Sequence, residues 1–454
     1  MTLLAIDWAT VGIKAAQLIL SLSILVILHE FGHYITAKWF KCRVEKFYLF
    51  FDPWFSIIKK KIGDTEYGIG WVPLGGYVKI SGMIDESMDK AQMAEPPKPY
   101  EFRSKPAWQR LIIMLAGIIV NILLGFFIYS MMLWTWGEQY MPTKNVKYGI
   151  VADSLAQSVG LRSGDKIVSL DGRVVPKFKD IPLDIILNNV KTIQVLRDGQ
   201  PVEVSLPADL SSTIINKHLH FLGPDDMRVP IQPIDSIVAG SAAQKAGFQK
   251  NDLVLGVNRQ PAIYYDQFSD ATKGNKGGQI TVSVLRNLKD TATLSVAVPK
   301  EGIIGVYFKM EGLKDVFQYD TVHYTFLQAL PAGVGKGCDM LVSYVQQLKL
   351  LFGGKVNVSE GMSGPVGIAN LFPATWDWQA FWALTAFLSM ILAIMNLLPI
   401  PALDGGHALF CIYEIITGRK PNDKFMEYAQ TVGMIIILAL MVFAFGNDIF
   451  RLFK

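Results

Sequence analysis

An apolar stretch near the start of the chain carries three ionisable side chains in its interior. Residues 20–37, LSLSILVILHEFGHYITA, are apolar enough for a membrane-spanning helix and contain His29, Glu30 and His33. On a helix, side chains four positions apart lie on one face, so both imidazoles can reach a single Zn²⁺ ion. Glu30 can then act as the general base on a water molecule at the metal. The stretch predicts a zinc hydrolase inside a membrane, where ionisable residues are costly and mark function.

A purely structural role for the two histidines is the alternative. Polar side chains in membrane bundles also serve as hydrogen-bonding partners for a neighbouring helix. The chain contains only six histidines, however, so a chance His-Glu-x-x-His inside an apolar run is rare. The zinc interpretation is therefore favoured.

The composition indicates a membrane protein. Hydrophobic residues make up 51% of the chain and charged residues 18%, whereas soluble domains are about 25% charged. The net charge of +4 is small and no Lys/Arg-rich block is present, so no nucleic-acid partner is expected. The chain is expected to lie in the lipid bilayer. The predicted spans lie at 1–39, 107–136, 379–406 and 429–450.

Basic residues predict the orientation of these spans. Lys59, Lys60 and Lys61 lie in the loop 40–106, and the short loop before the last span is also basic. By the positive-inside rule, both loops face the cytoplasm. Both termini and the long segment 137–376 are therefore expected on the opposite side, with the metal site near the cytoplasmic side.

Residues 66–82, EYGIGWVPLGGYVKISG, are predicted to form a β-hairpin in the first loop. Apolar residues alternate around Pro73, Gly75 and Gly76. Aromatic residues just before this segment favour a position at the membrane surface. An uncovered strand edge there could hold an extended peptide beside the metal site through main-chain hydrogen bonds. An ordinary interfacial hairpin is the alternative.

A repeat occupies the middle of the chain. Residues 150–165, IVADSLAQSVGLRSGD, align without a gap with residues 237–252, IVAGSAAQKAGFQKND. Each copy contains a small-residue helix, a glycine turn, an acidic turn and then an apolar strand. The repeat predicts two tandem domains, at 145–226 and 227–310.

Residues 332–375 connect the repeat to the third span. An amphipathic pattern from residue 332 to 353 predicts a helix on the outer membrane surface. The segment 361–372, GMSGPVGIANLF, is apolar but interrupted by Gly and Pro, so it is expected to reach into the membrane against protein.

The third span ends in a second polar motif, NLLPIPALDGGH at 396–407. The first and third spans run in the same direction, so the motif is expected at the depth of the two histidines. Asp404 is the predicted third ligand, giving two His and one carboxylate with a fourth position open, as in catalytic zinc sites. The alternatives for the third ligand are His407, Glu45 and Glu66.

The repeated domains resemble PDZ domains of the permuted bacterial type. This resemblance implies that the peptide-binding loops are Leu222 and Gly223 in the first copy, and Ile304, Gly305 and Val306 in the second. PDZ domains bind a peptide as an added strand. A domain that only excludes large substrates is the alternative.

The motifs HEFGH and NLLPIPALDGG, with paired PDZ-like domains between them, resemble the site-2 protease family. The resemblance implies an α-helical polytopic protein of the bacterial inner membrane, with four transmembrane helices, a membrane-associated β-hairpin and two tandem periplasmic PDZ-like α+β domains. It implies one Zn²⁺ per chain on His29, His33 and Asp404, with Glu30 as the catalytic base and Asn396 on the substrate backbone. The implied substrate-binding residues of the hairpin are Gly70, Val72, Gly75, Gly76 and Tyr77.

The family's activity is hydrolysis of peptide bonds within the transmembrane segments of single-span proteins. The implied substrates are an anti-sigma factor that a first protease has already shortened, in an envelope-stress response, and signal-peptide remnants. The family often has Gly-Pro-x-x-Asn in the second span, where this chain has Gly117 and Asn121 without the proline. A membrane-anchored PDZ scaffold without catalysis is the alternative function.

Overall fold

The structure is a computed structural model that describes residues 7–83, 96–216, 220–223, 225–287, 289–310, 313, 316–353 and 364–452. Parts of the predicted loop 40–106 and of the predicted segment 361–372 lie outside the described residues. The chain divides into two units, Met1–Gly137 with His323–Lys454, and Glu138–Val322.

Helices and strands alternate irregularly along the chain. The helices are α1 (Trp8–Trp39), α2 (Ala107–Trp136), α3 (Ser154–Ser158), α4 (Ile181–Asn188), α5 (Leu210–Asn216), α6 (Ala242–Ala246), α7 (Tyr265–Gly274), α8 (Phe326–Phe352), α9 (Pro365–Leu371), α10 (Trp378–Leu397), α11 (Asp404–Thr417) and α12 (Asp423–Leu452). The strands are β1 (Val44–Phe51), β2 (Ile58–Ile62), β3 (Thr65–Ile69), β4 (Val72–Ile80), β5 (Glu138–Tyr140), β6 (Lys166–Leu170), β7 (Thr192–Arg197), β8 (Gln200–Ser205), β9 (Ile234–Ile237), β10 (Leu253–Val257), β11 (Gln260–Pro261), β12 (Gln279–Arg286), β13 (Asp290–Ala297), β14 (Val306–Phe308) and β15 (Asp320–Val322).

Four helices of the first unit are long and apolar enough to cross a membrane, counted over the described ranges. They are α1, α2, α10 and the part of α12 from Lys424 to Phe450. The prediction of four membrane-spanning helices is therefore confirmed.

Glycines bring the long helices into close contact. A Cβ atom on Gly32 of α1 would lie 2.7 Å from the carbonyl oxygen of Ala116 in α2, so only glycine fits at this crossing. Gly125 of α2 lies against Met390 of α10, and Gly333 of α8 lies against α2. Close approach at small residues is the usual way in which membrane helices associate. The amphipathic helix predicted from residue 332 corresponds to α8, which begins earlier, at residue 326, and packs along α2.

The third predicted span is shorter than expected and is followed by an additional helix. Helix α10 ends at Leu397, because Pro399 forces the residue before it into an extended conformation. Asp404 is the first residue of α11, a helix that was not predicted from the sequence. The second polar motif therefore includes an irregular segment, residues 398–403, between two helices.

Strands β1 to β4 form a sheet in the order β2-β3-β1-β4. The two strands of the predicted 66–82 hairpin form, but they do not pair with each other, so that part of the prediction is wrong. Strand β1 lies between them, parallel to β3 and antiparallel to β4. The actual hairpin joins β2 to β3 through a two-residue turn in which Gly63 has a φ of 62°. Strand β4 consequently lies at one edge of the sheet.

The two copies of the repeat in the second unit each contain an equivalent ion pair with a buried aspartate. Asp165 precedes β6 and accepts two hydrogen bonds from Arg197 at the end of β7, at 2.8 and 2.7 Å. Asp252 precedes β10 and accepts two from Arg286 at the end of β12, at 3.0 and 2.9 Å. Each arginine also donates to the carbonyl of the turn glycine of its own copy. The repeated Gly and Asp positions therefore have a structural role in both copies.

The end of α12 holds the segment before α10 in place. The carboxylate of Asp448 accepts hydrogen bonds from the backbone N–H groups of Gly364, Val366 and Gly367, at 3.0, 2.8 and 3.1 Å. These N–H groups belong to the first turn of α9, where no intrahelical acceptor exists. The Asp448 side chain thus caps α9 from a neighbouring helix.

Candidate metal centre

His29, His33 and Asp404 meet in the first unit, although the chain separates them widely. Nε2 of His29 lies 3.2 Å from Oδ2 of Asp404, and Nε2 of His33 lies 3.3 Å from the same oxygen. The two Nε2 atoms are 3.3 Å apart. Tetrahedral zinc with bonds of about 2.0–2.1 Å separates its ligand atoms by about 3.3–3.4 Å. The three donor atoms therefore have the spacing of three corners of a zinc tetrahedron.

The hydrogen bonding of His33 is compatible with a metal ion in this cluster. Nδ1 of His33 lies 2.8 Å from the carbonyl oxygen of Ile113, which can only accept, so Nδ1 carries the proton. Nε2 of the neutral ring then presents a lone pair to Asp404. Oδ2 of Asp404 is buried and has no hydrogen-bond partner within the described residues. A lone pair facing a buried carboxylate oxygen is unfavourable unless a proton or a metal ion lies between them. The donor set of two imidazoles and one carboxylate fits zinc.

Asn121 of α2 supports the second imidazole. Its amide nitrogen lies 3.1 Å from Nδ1 of His29, and its amide oxygen is buried without a partner in the described part of the chain. A half-turn of the amide lets this oxygen accept the proton of Nδ1 and leaves Nε2 free for a metal. No role in the site was predicted for Asn121 from the sequence. The available signal was a single amide in an apolar span.

Gly117 of α2 provides the space for both rings. A Cβ atom there would overlap Nε2 of His33 and would lie 2.7 Å from Cε1 and 2.8 Å from Nδ1 of His29. Asn121 follows one turn later on the same face of α2. Helix α2 therefore leaves space for both imidazoles at Gly117 and provides a hydrogen-bonding partner for His29 at Asn121, one turn later.

Replacing Gly117 with Ala is expected to reduce zinc affinity by about 10-fold or more, because the new methyl group must displace both imidazoles. Chelator competition on the purified protein measures this loss. Gly125→Ala is the matched control, since its Cβ would meet only the flexible end of Met390. Wild-type zinc affinity in the Gly117 variant, or equal losses in both variants, would contradict the proposed arrangement.

A cavity of about 660 Å³ opens beside the cluster. Its lining includes Glu30, Gly76, Tyr77 and Val78 together with the three clustered side chains. The carboxylate of Glu30 interacts electrostatically with the backbone N–H of Val78 in β4. Glu30 therefore lies between α1 and the edge of the sheet, next to the metal-binding atoms.

The other predicted substrate-binding residues fall into two groups. The amide nitrogen of Asn396 lies 3.2 Å from Nε2 of His29, so this residue borders the cluster. Gly70, Val72 and Gly75 are not among the described residues that line the cavity. Gly70 precedes β4, Val72 is its first residue, and Gly75 directly precedes the cavity-lining Gly76. Gly70 and Gly75 pack against Phe51, the last residue of β1.

The alternative third ligands lie elsewhere. Glu45 accepts a hydrogen bond from Ser81, and Glu66 accepts one from Tyr48, both at 2.7 Å within the sheet. His407 lines the cavity but is not part of the cluster. Among the described residues, the group of His, Cys, Asp and Glu side chains able to hold a metal ion is His29, His33 and Asp404.

The hydroxyl group of Tyr77 is held in place beside the cavity. It donates a 2.8 Å hydrogen bond to Asp52. Burial, and then this contact with Asp52, raise the pKa of Tyr77 above its ordinary value. Burial likewise raises the pKa of the neighbouring Tyr48 to about 12. Both phenols therefore remain protonated at neutral pH and act as hydrogen-bond donors.

The loops at the predicted peptide-binding positions differ between the two copies. In the first copy, Leu222 is buried, and the N–H of Gly223 donates a 2.7 Å hydrogen bond to the carboxylate of Asp226. In the second copy, Ile304 is buried, Gly305 has a φ of 88°, and Val306 begins β14. Strand β14 and helix α7 line a groove of about 820 Å³.

Four membrane-spanning helices and a zinc-type cluster beside a cavity define the class of an integral-membrane zinc hydrolase. The sequence profile of Peptidase family M50 matches residues 17–440, and the chain belongs to that family. It is thus a zinc-dependent protease of the site-2 type, which confirms the predicted enzyme class and cofactor.

Curated relatives match the chain over nearly its full length. The regulator of sigma-E protease RseP of Escherichia coli is 29% identical over 458 residues, which cover 96% of this chain and 98% of the relative. The regulator of sigma E protease of Salmonella typhimurium is 29% identical over 459 residues, with the same coverage. A protein of Neisseria meningitidis is 27% identical over 456 residues, again with 96% and 98% coverage. It is provisionally named a zinc metalloprotease. The four apolar helices and these relatives support a multi-pass inner-membrane protein.

Proposed function

We propose that this protease hydrolyses peptide bonds within the transmembrane segments of single-span proteins, with His29, His33 and Asp404 as zinc ligands and Glu30 as the catalytic base. The observation that carries the proposal is the mutual spacing of 3.2–3.3 Å between the three donor atoms. Glu30 lines the cavity on which this cluster opens.

The side chains around the cluster have separate roles in the reaction. Zinc, when bound, polarises the substrate carbonyl and lowers the pKa of the attacking water. Glu30 takes a proton from that water on its carboxylate oxygen and passes it to the leaving amine nitrogen. The N–H of Val78 fixes the Glu30 carboxylate between α1 and β4. Asn396, at the rim of the cluster, donates an amide hydrogen to the substrate backbone.

The edge of β4 is the proposed site of main-chain capture. A helical substrate hides its carbonyl groups in intrahelical hydrogen bonds, so it must unwind locally before hydrolysis. In this proposal, the N–H of Val78 is on the side of β4 that faces Glu30, away from β1. Backbone groups alternate along an antiparallel strand, so those of Gly76 face the same open edge. An unwound substrate therefore adds to β4 at Gly76 to Val78, next to the base.

The repeated domains are proposed to be PDZ-like, at 145–226 and 227–310, and to act differently. In the first copy, the N–H of Gly223 in the loop already donates a hydrogen bond to the carboxylate of Asp226. In the second copy, β14 pairs on one side with β9 and faces the 820 Å³ groove with the other, within the described residues. This arrangement supports strand addition in the second copy and size exclusion by the pair.

The proposed orientation places both termini and the repeats in the periplasm, with the metal site near the cytoplasmic side. The basic loop 40–106 supports this orientation. The proposed substrates are an anti-sigma factor already shortened by a first protease and the remnants of signal peptides. The names of the Escherichia coli and Salmonella relatives, regulators of sigma-E protease, support the first of these.

Reconstituted into vesicles, the protein is expected to cut a single-span substrate whose outer domain has been removed. It should cut the intact substrate at least about 10-fold more slowly, because size exclusion keeps the larger protein from the cavity. Gel analysis of the fragments measures both rates. A chelator must stop the cleavage and added Zn²⁺ must restore it.

The alternative of a membrane-anchored scaffold without catalysis is disfavoured by membership of Peptidase family M50, and the same assay tests it. It would bind the shortened substrate and leave it whole, and it would not contain stoichiometric zinc. Equal cleavage of the intact and shortened substrates would instead contradict the proposed size exclusion while leaving the protease assignment in place.

A further inference from the structure

The segment that carries Asp404 into the cluster has an unfavourable backbone conformation. Residues 398–403 connect α10 to α11 and contain a turn in which the N–H of Leu403 donates a 3.0 Å hydrogen bond to the carbonyl oxygen of Ile400. Ala402 lies inside this turn and has a φ of 82°. This left-handed region is rare for a residue with a side chain and persists only where surrounding contacts impose it. Ala402 is two residues from Asp404. Its conformation therefore determines the direction in which α11 begins and where the Asp404 carboxylate lies.

Gln430 of α12 contacts the connecting segment at Ala402. Its amide oxygen accepts a 3.1 Å hydrogen bond from the N–H of Ala402, and the residue is 4% exposed. One turn later, Gly433 lies so close to the carbonyl group of Pro401 that no Cβ atom fits there. Two consecutive turns of α12 thus contact the connecting segment at adjacent residues.

The position of Gln430 is distinct from that of the metal-binding side chains. It lines the 660 Å³ cavity, but its hydrogen bond goes to the connecting segment rather than to the cluster. No sequence pattern associates this residue with a motif more than twenty positions earlier. The signal it offers is a lone amide at the start of an apolar helix.

We propose that Gln430 is a positioning residue that holds Ala402 in its left-handed conformation and so directs Asp404 toward His29 and His33. The inference rests on the proposed role of Asp404 as a zinc ligand. Without the amide acceptor, the part-buried N–H of Ala402 loses its hydrogen bond. The balance then shifts toward a negative φ, which is the favoured backbone conformation of a residue with a side chain. That rotation moves the carboxylate away from the two imidazoles.

Gln430→Met removes the acceptor while nearly keeping the volume of the side chain. It is expected to weaken Zn²⁺ binding about 10-fold or more in chelator competition, as the loss of outer supporting contacts does. The d–d absorption of Co²⁺ bound to the same protein should lose its tetrahedral intensity. Gln430→Glu keeps an acceptor of the same length, so it should retain the metal affinity.

Thr431→Val is the matched control, because the hydroxyl of Thr431 donates to the carbonyl oxygen of Glu427 in its own helix and has no other partner among the described residues. It is expected to bind Zn²⁺ and Co²⁺ like the wild type. Equal losses in the Thr431 and Gln430→Met variants would show that α12 has been perturbed as a whole, and would overturn the proposal. Wild-type affinity and absorption in Gln430→Met would overturn it as well.

Ala402→Gly tests the link between the two residues. Glycine adopts a positive φ without a steric penalty, so this substitution should restore most of the affinity lost in Gln430→Met. Failure of this rescue would contradict a role through the Ala402 backbone. If Asp404→Asn binds zinc normally, the proposed function fails. If that variant loses zinc while Gln430→Met keeps it, only the positioning role of Gln430 fails.

Discussion

Replacing Glu30 with Gln should leave zinc binding unchanged and reduce peptide hydrolysis by about 10²–10⁴-fold. The amide keeps the length of the side chain and its carbonyl oxygen can still interact with the N–H of Val78. It cannot take a proton from water, so the loss falls on the chemical step. Metal analysis and a cleavage assay on the same purified protein measure the two properties separately.

Glu66→Gln is a suitable control for this experiment. It makes the same acid-to-amide change within the same unit, at a side chain that accepts a hydrogen bond from Tyr48 rather than lining the cavity. Its cleavage rate should stay within about 2-fold of the wild type, as expected for a residue outside the chemistry. An active Glu30→Gln protein would remove the general base from the proposed mechanism.

Local spacing explains what the sequence could predict of this site. His29 and His33 are one helical turn apart, so their common face follows from helix geometry alone. Asp404 could be placed with them because two apolar spans of known direction bring their ends to one depth. The identity of the third ligand was nevertheless open, since His407 and two acidic residues had suitable chemistry. Only the observed distances separate these candidates.

Contacts between distant segments explain what the sequence could not predict. The 66–82 segment contained two strands, but nothing in it indicated that β1 would insert between them. Asn121 and Gln430 looked like isolated amides in apolar helices, and their partners lie in other segments of the chain. Helix α11 was missed because Pro399 and Pro401 mark the end of one helix without indicating that another begins at Asp404.

Asp404→Asn is expected to impair zinc binding itself, in contrast to the substitution at Glu30. The neutral amide removes the negative charge that faces Nε2 of both histidines at 3.2 and 3.3 Å. The affinity should fall by more than the about 10–100-fold that the loss of an outer-shell partner costs, because a direct ligand is removed. Chelator competition gives the affinity, and added Zn²⁺ should restore cleavage only in part.

Two comparisons make this result specific to Asp404. Glu45→Gln and Glu66→Gln remove the other acidic candidates for the third ligand, and both should keep wild-type zinc affinity. Zinc loss in either of them, together with normal binding in Asp404→Asn, would show that the metal lies elsewhere. If Glu30 is the base and Asp404 is a ligand, the Glu30 variant should bind zinc but be inactive, and the Asp404 variant should bind little zinc. Both outcomes together are expected only if the two carboxylates have these separate roles.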